Sequence, residues 1–257
     1  MPARFAFPRP LPHAFVVPHR VSILLPVFNE ERSIVEIVRR IREQPSVHEI
    51  VAVDDASRDA SAARLQQLAA EPGAALLVLR HAVNAGKGAA IRTGLAAVTG
   101  DLVVIQDADL EYNPADYPSL LAPFRDPAVQ VVYGSRNLRP NPKSSQAFYW
   151  GGRFLSWCAN VLYGARLTDL ATGYKVFRTS LLRALPLASK GFEFCPEATA
   201  LLLQRGVHIH EVPISYAPRT RAEGKKIRAR DGAIAIWTLL TLKLRPPRHH
   251  TTGARVP

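Results

Sequence analysis

Five apolar runs, VSILLPVF (21–28), EIVAVDD (49–55), ALLVLRH (75–81), DLVVIQDAD (101–109) and VQVVYGSR (129–136), recur with segments patterned for helices between them. No other feature limits the fold so tightly. The runs are nearly continuous in apolar residues, which suits strands covered on both faces. A crossover through a helix joins parallel neighbours. Residues 30–43 place Ile34, Ile37, Val38 and Ile41 on one helical face. Further helices are predicted near 59–70, 86–98 and 114–124. The expectation is an α/β protein: a Rossmann-like open sheet of mostly parallel strands flanked by helices, in a single domain.

The second half is less regular. A polar, Pro-containing loop at 137–147 precedes an aromatic-rich helix at 148–163. A strand at 174–178, a helix at 196–205, a strand at 208–216 and a last helix at 231–244 complete the layout. Residues 1–19, interrupted by five prolines, read as a flexible Pro-rich arm and not as a signal peptide. The folded domain is expected over 20–245, with 246–257 a disordered tail.

Composition narrows the function classes. Hydrophobic residues make up 47% of the chain, enough for a core. The two cysteines, Cys158 and Cys195, give neither a disulfide framework nor metal-ligand spacing, and read as small core residues in a reducing compartment. No window reaches the roughly 18–20 apolar residues of a membrane span. The nearest, AIAIWTLLTL (233–242), runs into Lys243 and Arg245. A net charge of +12 points to anionic partners: nucleotide, phosphate, acidic lipid or nucleic acid.

In open α/β sheets, ligands bind beyond the carboxyl ends of the strands. There the first strand offers Pro26, Phe28, Asn29 and Glu30, the second Asp54 and Asp55, the fourth Asp107, Asp109 and Glu111, the fifth Ser135 and Arg136. One Asp after a strand commonly caps the next helix. Three alternating acids, lined up with acids from other strand ends, repel one another and call for a cation. Mg²⁺ or Mn²⁺, held by carboxylates and phosphate oxygens, answers that need. NAGKGAAIRTGL (84–95) is not a P-loop, because its glycine spacing is wrong and Gly88 stands where Ser or Thr belongs. It reads as a tight turn at a helix N-terminus near phosphate. His208 and His210 alternate along a strand without a metal-spaced partner and read as structural.

PVFNE (26–30), VDDASRDAS (53–61), NAGKGAAIRTG (84–94), DADLEYNPAD (107–116), YGSR (133–136), TGYKVFR (172–178), EFCPEATALLLQRG (193–206), EVPISYAPR (211–219) and EGKKI (223–227) follow one another in order. Together, over about residues 20–245, they resemble family 2 glycosyltransferases of the GT-A fold, in particular the dolichyl- and polyprenyl-phosphate hexose synthases. The resemblance implies that Pro26, Phe28 and Glu30 border the nucleoside, Phe28 standing where the family usually has Tyr. It implies that Val53 offers its backbone and Asp55 its carboxylate to the base. Asp107, Ala108 and Asp109 match the DxD motif, and Glu111 falls where mannose synthases often carry a further metal ligand, Gln. Arg136, Arg219 and Lys225 match cationic positions near the phosphates. Ser135 and Lys175 fall to the acceptor.

The activity so implied is inverting transfer of a hexose, mannose or glucose, from a nucleotide sugar (GDP-mannose or UDP-glucose) to a polyprenyl or dolichyl monophosphate. Asp109, Arg136, Arg219 and Lys225 are the expected catalytic group, with Mg²⁺ or Mn²⁺ as cofactor. The expected location is cytoplasmic, peripheral on the inner face of the membrane, reached directly or through a membrane partner protein. The aromatic stretch 147–164 and the segment 234–245 are the candidate contacts. A family 2 glycosyltransferase acting on a polysaccharide or other hydroxyl acceptor would instead need a carboxylate base, with Asp169 and Glu193 as suspects. A basic nucleic-acid binder is the alternative from another class, and it leaves the strand-end acids unexplained, so no nucleic-acid partner is expected.

Overall fold

The computed structural model describes residues 19–143, 145–219 and 229–244. The expected arm over 1–19, save its last residue, the tail over 246–257, and Lys225 with its EGKKI segment lie outside the described residues.

Seven strands form one sheet: β1 (Val21–Val27), β2 (Val47–Asp54), β3 (Leu76–Arg80), β4 (Leu102–Ile105), β5 (Val131–Ser135), β6 (Lys175–Arg178) and β7 (His210–Pro213). Their order is β3-β2-β1-β4-β6-β5-β7. β1 pairs in parallel with β2 and β4, β2 with β3, and β5 with β7. β6 alone is reversed, running antiparallel to β4 on one side and β5 on the other. The sheet is therefore mostly parallel, as the uninterrupted apolar runs require.

Helices α1 (Ile34–Arg42), α2 (Ser61–Ala69), α3 (Lys87–Ala97), α4 (Tyr117–Leu121), α5 (Gln146–Tyr163), α6 (Thr179–Ala184), α7 (Phe194–Gln204) and α8 (Ala229–Leu244) cover it. Period-two side chains sort the core into two layers. Ile23 and Leu25 of β1 face α1 and α2, which bury Ile34, Ile37, Val38, Ile41 and Leu65. Leu24 faces the other side, where α3 and α7 contribute Ile91, Ala198 and Leu202. A smaller cluster joins α5, α7 and α8 through Leu155, Ala159, Ala200, Ala235 and Leu239.

Two expected elements differ. The helix read over 114–124 is a short 3₁₀ turn, the five-residue α4 and a second 3₁₀ turn. Pro118 and Pro123 restart the chain there, because proline fits only the first turn of a helix. α6 was not foreseen; it is a single apolar-backed turn and a half behind β6. Among the described residues no helix is long and apolar enough to cross a membrane.

Candidate functional site

The carboxyl ends of β1, β2 and β4 open into one cavity of about 1700 Å³. Pro26, Phe28, Glu30, Asp55, Asp107, Ala108, Asp109, Glu111, Arg136 and Arg219 all line it, so most of the expected site is brought together. Each arrives for a local reason. After β4, Leu110 takes a left-handed φ of 62°, which turns the chain sharply and lets Asp109 Oδ1 accept from the Glu111 amide at 3.1 Å. Gly173 stands so close to Asp107 that a Cβ there would lie 2.2 Å from Oδ2; only glycine leaves the carboxylate its place.

Lys87, Arg136 and Arg219 on the wall each face a carboxylate, and Arg219 faces two. Lys87, the first residue of α3, donates to Asp107 Oδ1. Burial disfavours the Lys87 charge, yet Asp107 outweighs it and raises the pKa. Arg219 reaches Glu30 through Nη1 to Oε2 at 2.9 Å and Nη2 to Oε1 at 3.1 Å, and Asp109 Oδ2 through Nη2 at 2.9 Å. Burial, then the neighbouring charge of Asp107, pushes the Asp109 carboxyl from an ordinary 3.8 up to about 7. Arg136 pairs with Asp169 and stacks over the Tyr216 ring, 5.1 Å from its centroid. Anionic and cationic groups thus alternate around one wall.

The expected three-carboxylate metal set is not assembled. Glu111 accepts from Tyr216 Oη at 2.8 Å and from the Arg219 amide at 2.9 Å. Among the described residues no three His, Cys, Asp or Glu side chains gather as a metal-ligand cluster. Asp107 and Asp109 remain, and burial, then the charge of Asp107, make Asp109 resist ionisation. Two hard oxygen donors completed by phosphate oxygens and water suit Mg²⁺ or Mn²⁺, so the residues fit that ion as a pair and not as a trio.

Three more expectations are corrected. Lys175 is fully buried and donates to main-chain carbonyls, so it does not reach an acceptor. Ser135 is buried too, its hydroxyl 2.6 Å from Thr168 Oγ1. The Val53 side chain is enclosed in the sheet, which leaves the backbone contact expected of it untouched. Asp55 borders the cavity, but its oxygens take His81 Nδ1 at 2.7 Å, Asn84 Nδ2 at 2.9 Å, and the Ala85 and Gly86 amides at 2.8 and 2.7 Å. Four contacts fill a carboxylate's acceptor capacity; Asp55 fastens the 81–86 loop at the edge of the cavity.

The two suspected bases are also engaged. Asp169 holds Arg136, and Glu193 accepts from the Lys190 and Gly191 amides at 3.0 and 2.9 Å. Lys87 is a cavity residue that the sequence reading does not single out, although its position between two glycines at a helix start is the available signal. The Tyr112 hydroxyl, which accepts the Gly173 amide at 2.8 Å behind Asp107, left no sequence signal.

Three comparisons bear on this arrangement. The profile of the family described as Glycosyl transferase family 2 matches residues 22–184. An undecaprenyl-phosphate 4-deoxy-4-formamido-L-arabinose transferase of Pseudomonas paraeruginosa is 32% identical over 211 residues, covering 80% of this chain and 60% of the relative. A dodecaprenyl-phosphate galacturonate synthase of Rhizobium johnstonii is 28% identical over 217 residues, covering 80% and 61%. The chain thus spans about three fifths of the length of these curated relatives. Among solved structures, glucosyl-3-phosphoglycerate synthase of Mycobacterium tuberculosis superposes with a TM-score of 0.68 at 21% identity, over 87% of this chain and 80% of that one. The same enzyme in complex with Mn²⁺, UDP and glucosyl-3-phosphoglycerate gives 0.65 at 22% identity, over 87% and 80%.

Proposed function

Because this chain belongs to glycosyl transferase family 2 and has the GT-A fold, we propose that it transfers a sugar, with inversion, from a nucleoside-diphosphate sugar to a polyprenyl monophosphate at a membrane surface. The observation that carries this reading is the continuity of one cavity. Its inner wall holds Asp107, Asp109, Lys87, Arg136 and Arg219; its outer wall is built by Phe148, Tyr149 and Phe154 of α5 and by Ala233 and Ile236 of α8. A charged reaction centre that opens between two apolar helices suits an acceptor with an anionic head and a hydrocarbon tail.

The chemistry follows from the residues. A phosphate monoester is already ionised near neutral pH, its second pKa being about 6, so it attacks without a general base. That agrees with Asp169 and Glu193 being tied up in internal hydrogen bonds. Arg136 and Arg219 lower the cost of bringing two anions together, and hold them in line for displacement at the anomeric carbon. Lys87, beside Asp107, is placed to meet a diphosphate oxygen. A divalent cation held by Asp107 and Asp109 would neutralise the departing diphosphate.

The membrane side has its own support. Trp150, Phe154, Trp157 and Val161 form one exposed stripe on α5, and Trp237 and Leu244 stand exposed on α8. The two helices pack on each other through Leu155, Ala159, Ala235 and Leu239, and Tyr163 Oη donates to Leu239 O at 2.7 Å. Exposed Trp and Phe beside Arg153, Arg230 and Lys243 suit an interface with anionic lipid. The net charge of +12 suits the anionic leaflet on the cytoplasmic side.

The test is direct. Purified protein is given Mg²⁺ or Mn²⁺, undecaprenyl phosphate in detergent, and UDP- or GDP-linked mannose, glucose, galacturonate or 4-deoxy-4-formamido-L-arabinose. The expected result is label from one donor passing into the organic phase. Transfer to a saccharide hydroxyl and never to the lipid phosphate overturns the reading.

A further inference from the structure

Lys175 lies at the centre of the sheet on β6, paired in register with Ile105 of β4 and Tyr133 of β5, and is fully buried. Its Nζ donates to Leu170 O at 2.9 Å and to Thr172 O at 2.6 Å. The same nitrogen sits 4.0 Å from the centroid of the Tyr133 ring. Two carbonyls and one π-face occupy the three ammonium hydrogens. Among the described residues no carboxylate pairs with it, and burial drives its pKa down. A cation kept at such a position is costly, so what its hydrogen bonds hold deserves an explanation.

Both carbonyls belong to one short segment, 168–173, which leads into β6. One end of that segment carries Asp169, whose carboxylate takes Arg136 Nε and Nη2 at 2.7 Å and the Arg136 amide at 3.0 Å. The other end carries Gly173, which abuts Asp107 Oδ2 and donates its amide to Tyr112. The two anchored carbonyls fall between these ends. We infer that Lys175 is a positioning residue: its ammonium staples residues 170 and 172 so that Asp169 presents Arg136 and Gly173 leaves room for Asp107. That Arg136 and Asp107 serve sugar transfer rests on the function proposed above; the staple itself does not.

The test has two arms. In Lys175→Met, which keeps length and loses the donors, hydrogen exchange is followed at the Gly173 amide and the Arg136 Nε–H, with amides of β1–β3 as controls. Loss of hydrogen bonds to a charged group should speed exchange at both reporters by about 10- to 100-fold, leaving the controls unchanged. In the second arm, the drop in transfer rate caused by Lys175→Met should not multiply with that of Asp169→Asn, because both act through Arg136. Unchanged exchange at Gly173 and Arg136, or fully multiplicative rate losses, overturns the proposal. Should Lys175→Met fail to fold, Lys175→Gln is read against the parent protein by the same criteria. If the parent protein transfers no sugar to any lipid phosphate, the function proposed above falls, while the exchange arm still decides the staple.

Discussion

Arg136 and Asp169 meet through two parallel hydrogen bonds, Nε to Oδ2 and Nη2 to Oδ1, each 2.7 Å long. The pair is unevenly buried: the arginine side chain keeps 23% of its exposure and the aspartate 1%. Removing the arginine strands a carboxylate in the interior, whereas removing the aspartate leaves a guanidinium that can turn to water. Arg136→Ala should therefore cost about 3–5 kcal/mol, and Asp169→Ala distinctly less. Urea midpoints of the two variants check the order, and the reverse order contradicts it.

Asp109→Asn should nearly abolish transfer while leaving the fold intact, since Asp109 is one of the two carboxylates placed to hold the cation. Excess EDTA should silence the parent protein, and Mg²⁺ or Mn²⁺ should restore it. Full turnover of the variant, or of the chelated protein, speaks against a metal at this pair.

The same carboxyl sets a pH dependence in metal-free protein. Burial and Asp107 raise Asp109 from 3.8 to about 7. Between those values the folded state binds more protons than the unfolded state, so stability falls as pH rises from about 4 to about 7. Thermal melts in EDTA across that window should show the decline, and Asp109→Asn should flatten it. Identical slopes for the two proteins would remove Asp109 from the explanation.

Lys87→Met should weaken binding of a nucleoside-diphosphate sugar by about 10- to 100-fold, the worth of a hydrogen bond to a charged group. Titration calorimetry with the donor identified in the transfer assay reads this. Affinity equal to the parent's would mean that Lys87 serves Asp107 alone.

Replacing Trp150, Trp157 and Val161 together by Gln should leave the melting temperature nearly unchanged, because these side chains already stand in solvent. Co-sedimentation with phosphatidylglycerol vesicles should drop, and so should activity on undecaprenyl phosphate. Activity on a short, water-soluble prenyl phosphate should persist. Equal losses on both acceptors would assign the stripe to the reaction centre instead of the membrane.

The sequence disclosed the strands because their apolar runs are long and unbroken, and it disclosed the reaction edge because Glu30, Asp55, Asp107 and Arg136 follow four separate runs. Orientation was harder to read. KVFR of β6 has no mark of direction, so nothing local reveals that it runs against its neighbours. Lysine is rarely enclosed, so sequence alone places Lys175 toward a ligand and not inside the sheet. Asp55 and Glu111 were placed correctly on the cavity, yet their acceptor capacity is consumed by amides and hydroxyls from distant segments. Partners such as Tyr216 for Glu111, 105 residues away, emerge only from the fold.

The reversed β6 also decouples the order of synthesis from the order of assembly. β5 leaves the ribosome well before either of its neighbours in the sheet, β6 and β7, and β6 occupies the place beside β4. The first four strands can settle as the nascent chain emerges, while residues from about 131 onward wait for a strand more than forty positions behind them. During that interval Val131, Val132 and Tyr133, all interior in the finished protein, are open to holdase chaperones, and truncation before β6 should convert a foldable chain into an aggregating one.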